Sequence, residues 1–200
     1  MSIHNANDII LLEGMDMVGK STFVDKKIPN YFTTYECHHQ LTDETVGRDN
    51  SWTIGYGIID FLQQMYQDFC NNNLMNCNVV INRGVFSSYV YKKLYNNKNF
   101  DSKILDFYKN NEFFKNDIEH IYVRHHNLET AEAIFESSKS RKVADTEISR
   151  KYDNFNSFSD YWIYYCTADQ LFKEVYDYIG IKPHIFETLP NFEWEQVDEW

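Results

Sequence analysis

The sequence predicts an α/β domain built on a five-stranded parallel sheet with helices on both faces. Three observations predict it. Short apolar runs at residues 9–13, 78–82, 119–123 and 184–187 alternate with stretches of helical spacing, the rhythm of a parallel sheet covered on both sides. No linker or shift of composition divides the 200 residues, a length that suits a single domain, 1–200. The first apolar run also ends in a glycine-framed turn, G-M-D-M-V-G-K-S from Gly14 to Ser21, that opens a helix.

Each element has its own justification in the chain. The run I-I-L-L-E at residues 9–13 is continuous and β-rich, as a strand buried on both faces requires. Residues 20–27 begin a helix that Pro29 stops. Residues 31–36 are β-branched and aromatic, a second strand. Over 51–69, Trp52, Ile58, Ile59, Leu62, Met65, Tyr66 and Phe69 recur at spacings near three and four, marking a helix with one buried face. N-V-V-I-N at 78–82 is the third strand, 83–95 and 102–114 read as helices, and E-H-I-Y-V at 119–123 is the fourth strand. A helix over 128–138, a polar stretch over 139–146 and a long aromatic-rich helix over 155–179 follow, and 184–187, just past Pro183, is the fifth strand. The acidic aromatic tail, 191–200, reads either as a packing strand end or as a partner contact. In such sheets ligands lie outside the carboxyl ends of the strands, which singles out Asp16, Lys20, residues 36–39, Asn82, Arg83 and residues 124–126.

Composition narrows the function classes. With 30 Asp and Glu against 19 Lys and Arg, the net charge of -11 argues against a nucleic-acid backbone as the main partner. A small anion in a local basic pocket remains compatible. No apolar run approaches the length needed to cross a membrane. Cys37, Cys70, Cys77 and Cys166 show neither C-x-x-C pairing nor metal-ligand spacing, in a chain without a signal peptide. They read as reduced thiols packed in the core of a cytoplasmic protein. The pairs His38–His39 and His125–His126 read as polar loop residues rather than metal ligands, because adjacent residues on a strand point to opposite faces.

The turn carries the chemistry. Gly14, Gly19, Lys20 and Ser21 fit G-x-x-x-x-G-K-[ST], the phosphate-binding loop. A polyphosphate needs a ring of inward-facing backbone N–H groups, and glycines let the main chain curl that closely. The helix N-terminus adds partial positive charge, Lys20 a full one, and the Ser21 hydroxyl can hold a magnesium ion.

The run L-E-G-M-D-M-V-G-K-S-T, Leu12 to Thr22, resembles the opening of the thymidylate kinase family, whose loop reads E-G-x-D-x-x-G-K-[ST]. The block V-V-I-N-R-G-V-F-S-S-Y-V-Y from Val79 to Tyr91 resembles that family's third strand and following segment, and I-Y-V-R-H-H-N-L-E-T-A from Ile121 to Ala131 is similar to its fourth strand and next helix start. Deoxynucleoside kinases share the E-G loop, and residues 83–94 followed by 101–113 resemble them as well. The fold this implies is that of a nucleoside monophosphate kinase-like P-loop protein with a basic lid, here 139–151.

The resemblance implies transfer of the ATP γ-phosphate to a deoxynucleoside monophosphate, dTMP in the type case, or alternatively to a nucleoside 5′-hydroxyl. A non-catalytic ATP-binding module is the competitor of another class. ATP and Mg²⁺ would be held by Gly14, Met17, Val18, Gly19, Lys20, Ser21 and Thr22, with the metal at Ser21. Asp16 would meet the acceptor's 3′-hydroxyl, or else tie the turn to a backbone amide. Arg83 would grip the acceptor phosphate or the transferring group through its planar fork. Ser87, Ser88 and Tyr91 would read base or sugar, although helix capping explains the serines equally well. Phe61, with Tyr56 and Trp52, would stack on the acceptor base or fill the core. Met17 stands where some members carry a catalytic arginine, which moves that duty to Arg141 or Lys142 in a lid that also holds Lys139, Arg150 and Lys151; a solvated basic stretch is the plain alternative. Asn82 replaces the family's aspartate, leaving Glu36 as the substitute carboxylate, and no Lys or Arg lies between Arg48 and Arg83. Homodimerisation is carried over from the family, with 51–69 as the seam or simply buried in the monomer. A regulatory GTPase would want N-K-x-D, which Asn97, Lys98 and Asn99 begin and Phe100 ends.

Overall fold

The computed structural model describes residues 9–36, 78–96, 103–142, 155 and 157–200. The expected helix over 51–69 with Trp52, Tyr56 and Phe61, the cysteines Cys37, Cys70 and Cys77, His38, His39 and most of the 139–151 segment lie outside the described residues.

A single sheet organises what is described. Its strands are β1 (Ile9–Glu13), β2 (Thr33–Glu36), β3 (Val79–Asn82), β4 (Ile118–His125), β5 (His184–Leu189) and β6 (Glu193–Val197), in the order β2-β3-β1-β4-β5-β6. The first five are parallel. The sixth is antiparallel to β5, so the sheet has six strands where the sequence predicts five. Alternation in E-W-E-Q-V is too sparse in apolar residues to announce a strand, since only Trp194 is buried. A turn with Asn191 and Phe192 at φ 68 and 54 reverses the chain into it. The acidic tail is thereby a strand of this sheet.

The helices are α1 (Lys20–Lys27), α2 (Val85–Asn96), α3 (Lys103–Lys109), α4 (Glu112–Asn116), α5 (Leu128–Lys142) and α6 (Phe158–Ile179). They cover both faces. Phe23 of α1 packs on Phe186 of β5 and edge-on to Trp194 of β6. On the other face His120 and Tyr122, two residues apart on β4, meet Phe86 of α2, Tyr108 of α3, and Phe172 and Tyr176 of α6. The stretch expected as one helix over 102–114 is two, because Asn111 caps α4 by accepting from the Phe113 amide and breaks the run. Helix α5 runs on through Lys139, Arg141 and Lys142, the first part of the expected polar stretch. Cys166 is exposed on α6 rather than packed in the core: the buried stripe of that helix runs through Tyr161, Tyr165, Ala168, Leu171, Phe172, Val175, Tyr176 and Ile179, and Cys166 falls on its far side.

This topology places the glycine turn. Strand β1 is central, the chain leaves it towards β2, and it later crosses from β3 past β1 to β4. The carboxyl end of β1 therefore lies at the switch point where α/β sheets bind ligands. There the backbone passes close to β4: an added Cβ on Gly14, whose φ is 140°, would sit 2.3 Å from the Val123 carbonyl oxygen. Gly14→Ala is expected to lower stability by about 1–3 kcal/mol, read as a lower denaturant midpoint in equilibrium unfolding.

Candidate functional site

The loop between β1 and α1 is shaped by three left-handed or near-left-handed residues, Gly14 (φ 140°), Met17 (φ 67°) and Gly19 (φ 85°). Left-handed residues set between ordinary ones turn successive N–H groups to one side, the geometry of an anion-binding nest. Gly19 is the N-cap of α1 and makes no side-chain cap hydrogen bond, and the N-terminus of a helix is a place where an anion is favoured. Lys20, 5% exposed, folds its ammonium back to donate to the Gly14 carbonyl at 2.7 Å and to the Met15 carbonyl. Ser21 and Thr22 follow on the first turn of α1, Ser21 exposed and Thr22 half-buried. An accessible hydroxyl next to a buried ammonium fits the donor set for Mg²⁺ bound with phosphates.

Three anchors hold the loop. The Thr188 hydroxyl of β5 donates to the Val18 carbonyl at 2.6 Å. The Tyr161 hydroxyl of α6 donates to the Asp16 carbonyl at 3.1 Å. The third is the close approach of Gly14 to Val123 on β4. Sequence reading gave no role to Thr188 or Tyr161, and only the position of Thr188 just behind the apolar core of β5 could have suggested it.

Glu13 is the second element of the site. It closes β1 with no exposure at all, and its carboxylate accepts the backbone N–H groups of Phe86 (3.0 Å) and Ser87 (3.1 Å) and the Ser87 hydroxyl. A strand-end carboxylate thus caps the N-terminus of α2, satisfying donors that no local side chain reaches. Burial pushes its pKa up from 4.5 to about 7, with the hydrogen bonds from Ser87 and Phe86 and the charge of Lys20 acting the other way. The two donors of Ser87 are therefore committed to Glu13, and Ser87 is 2% exposed. Gly84 makes the approach possible, since a Cβ there would lie 2.0 Å from Leu11 Cδ1 and 2.8 Å from Glu13 Oε1.

Arg83 lies between these two elements. Its backbone sits at φ 66°, unusual for a bulky residue, and is fixed by its N–H donating to the Leu12 carbonyl at 2.9 Å. The guanidinium forms an ion pair with Asp16 of the loop, the two side chains 19% and 31% exposed. Sequence reading offers Asp16 either the 3′-hydroxyl of an acceptor or a backbone amide of the turn; in the structure its carboxylate meets Arg83, a partner neither reading named. Glu36 ends β2 in register with Asn82 of β3, which is in register with Leu12 of β1; its backbone shares the rim with Arg83 and the loop, and its side chain lies outside what is described. Asn82 is 2% exposed. Tyr91 packs half-buried against the core. The side chains of Ser88, Lys139, Arg141 and Lys142 lie outside the described set.

His126, exposed in the bend after β4, keeps the polar-loop reading, and His125 departs from it. His125 ends β4, 4% exposed, with its N–H donating to the Tyr165 hydroxyl at 3.0 Å. Burial, helped by the charge of Lys20, depresses its pKa from 6.5 to about 3. His126 is 42% exposed and paired with Glu187, which also binds Arg124 through both Nε and Nη2. Among the described residues no cluster of His, Cys, Asp and Glu could hold a metal ion.

No protein-family model matches the chain, and no curated protein matches it. Among solved structures, the deoxyadenosine kinase from M. mycoides with the products dCMP and a flexible dCDP bound is similar over 92% of this chain and 92% of its own, at 20% identity and a TM-score of 0.47.

Three buried groups, Glu13, His120 and His125, contribute to how stability depends on pH. Between pH 4.5 and 6.5 the unfolded chain protonates His120 and His125, whose folded pKa values are depressed to about 4 and about 3, whereas the folded chain keeps on Glu13 a proton that the unfolded chain releases. The unfolded state then binds one proton more in balance, and these groups make stability rise with pH by about 1 kcal/mol per unit. Near pH 7 the last of the histidine gain and the last of the Glu13 loss roughly cancel, and above about pH 8 these groups no longer change stability. Glu13→Gln removes the opposing contribution, so denaturant unfolding from pH 5 to 6.5 should show a slope about twice that of the parent.

Proposed function

We propose that this chain is an ATP-dependent kinase of the P-loop type that phosphorylates a nucleoside-like acceptor, with a deoxynucleoside favoured over a deoxynucleoside monophosphate such as dTMP. The observation that carries the reading is the Arg83–Asp16 pair: an arginine from the end of β3 reaches the carboxylate of the same loop whose Gly14 and Met15 carbonyls the Lys20 ammonium holds. Phosphoryl transfer needs donor and acceptor held in line and the shifting charge neutralised, and little else from the protein.

In this reading the loop amides from Gly14 to Thr22 receive the β and γ phosphates, and the Lys20 ammonium exchanges the Gly14 and Met15 carbonyls for phosphate oxygens. Ser21 would hold Mg²⁺, which when bound neutralises charge on the β and γ oxygens. Arg83 faces the transferring group, and Asp16 accepts a hydroxyl of the acceptor sugar while orienting Arg83. Glu36 takes the proton of the attacking hydroxyl as its oxygen bonds to the γ-phosphorus and the bridge to ADP breaks. Arg141 or Lys142 adds charge from the end of α5. Ser88, Tyr91 and Phe61 remain contacts for sugar and base.

The acceptor's charge separates the two kinase readings. A monophosphate brings about two negative charges, and the described arginines at the strand ends are already paired, Arg83 with Asp16 and Arg124 with Glu187. Between Arg48 and Arg83 the sequence supplies no further Lys or Arg. A neutral hydroxyl acceptor asks for no such compensation.

A coupled assay of ADP release with ATP, Mg²⁺ and a panel of deoxynucleosides and their monophosphates tests the proposal. Release driven by a deoxynucleoside is expected; release only with dTMP would favour the thymidylate kinase reading, and tight ATP binding with silence across the panel would leave a binding module. Lys20→Ala and Arg83→Gln are each expected to lower kcat by about 10²–10³, with folding, followed by circular dichroism, unchanged.

A further inference from the structure

We infer that Tyr161 is a positioning residue for the loop: its hydroxyl, oriented by His125, holds the Asp16 carbonyl and with it the left-handed Met17 turn that sets the Asp16 carboxylate against Arg83. The inference rests on the kinase reading for its effect on turnover, but its effect on the loop does not.

The hydrogen-bond directions follow from the inventory of donors. A carbonyl oxygen only accepts, so the single Tyr161 hydroxyl hydrogen goes to Asp16. The hydroxyl oxygen lies 2.7 Å from His125 Nε2, and with its own hydrogen committed it accepts there. Nε2 therefore carries the hydrogen of a neutral imidazole, and Nδ1 is bare. That agrees with Nδ1 being buried without a hydrogen-bond partner among the described residues: a lone pair left alone is cheaper than an N–H left alone.

Packing makes the arrangement rigid. Tyr161 has no exposure, its ring stacks on Phe135 at 5.3 Å and meets Phe155 at 5.5 Å, and it lies on the first turn of α6, which Ser157 caps. The residue after Asp16 is Met17, held at φ 67°, a conformation that a side-chain-bearing residue keeps only when its surroundings over-determine it. With the Asp16 carbonyl held by Tyr161 and the Val18 carbonyl by Thr188, the peptide that enters Met17 and the one that leaves Val18 are pinned, so the left-handed turn is held at both ends. The direction of the Asp16 side chain is set by that turn.

Tyr161→Phe keeps the ring and removes the hydroxyl. Amide hydrogen exchange of residues 14–20 in the ATP-free protein should accelerate at least fivefold, and kcat should fall about tenfold while KM for ATP stays within twofold. His125→Leu should reproduce part of both effects, and His125→Gln, whose side-chain amide can donate in place of Nε2–H, should restore most of the loss. Unchanged exchange in Tyr161→Phe, or faster exchange with kcat unaltered, overturns the inference. Faster exchange in a protein whose parent transfers no phosphate to any acceptor overturns the kinase reading and leaves the loop tether standing.

Discussion

A carboxyl group with no access to water sits at the end of the central strand, and the geometry around the loop between β1 and α1 depends on it. Glu13 lies one residue before the glycine that starts the loop, and it takes up the amides that open α2. Burying a carboxyl in that position is costly unless donors surround it, and the N-terminus of a helix supplies them with a favourable dipole. The arrangement ties three pieces of chain together. It fixes the exit of β1, it fixes where α2 begins, and through the residues between β3 and α2 it fixes Arg83. The absence of a side chain at Gly84 lets the two backbones come together, so this contact and the left-handed backbone of Arg83 belong to one local solution.

The loop itself is held from the other side. Its carbonyls at Asp16 and Val18 are claimed by hydroxyls from α6 and β5, and those at Gly14 and Met15 by the Lys20 ammonium. Four loop carbonyls are thus engaged within the protein, which leaves the backbone path of the loop little freedom. The proposed anion site would draw on that rigidity, since preorganisation is what makes electrostatic stabilisation effective in phosphoryl transfer.

Much of this was legible in the chain, and what was not has a physical cause. The parallel strands were readable because burial on both faces leaves only apolar residues, as in I-I-L-L and V-V-I. The loop was readable because glycine spacing states a backbone requirement directly. Strand β6 was not, since an edge strand with one buried residue carries little periodicity. The break at Asn111 was a capping signal inside an apparently helical run. Tyr161 was hidden for a different reason: on a helix with so many aromatic residues, the one whose hydroxyl leaves the core cannot be told from those that fill it. His125 was read as a loop residue because a histidine pair looks polar, and burial beside Tyr161 and Tyr165 in the neutral state reverses that.

The charge state of the site bears on what it can accept. The chain is acidic overall, at -11, so a polyanionic ligand must be attracted locally. In the proposed kinase Lys20 and the N-terminus of α1 would provide that attraction for the donor. On the acceptor side Arg83 meets Asp16, and together they are neutral. An acceptor phosphate would have to compete with Asp16 for the guanidinium and bring its own charge next to that carboxylate, at a cost that grows as water is excluded. A sugar hydroxyl can donate to Asp16 without disturbing the pair, and Arg83 then remains oriented for the group in flight. In the proposed kinase the ion pair would thus filter acceptors by charge, and the same loop anchors that hold Asp16 would hold that filter in place.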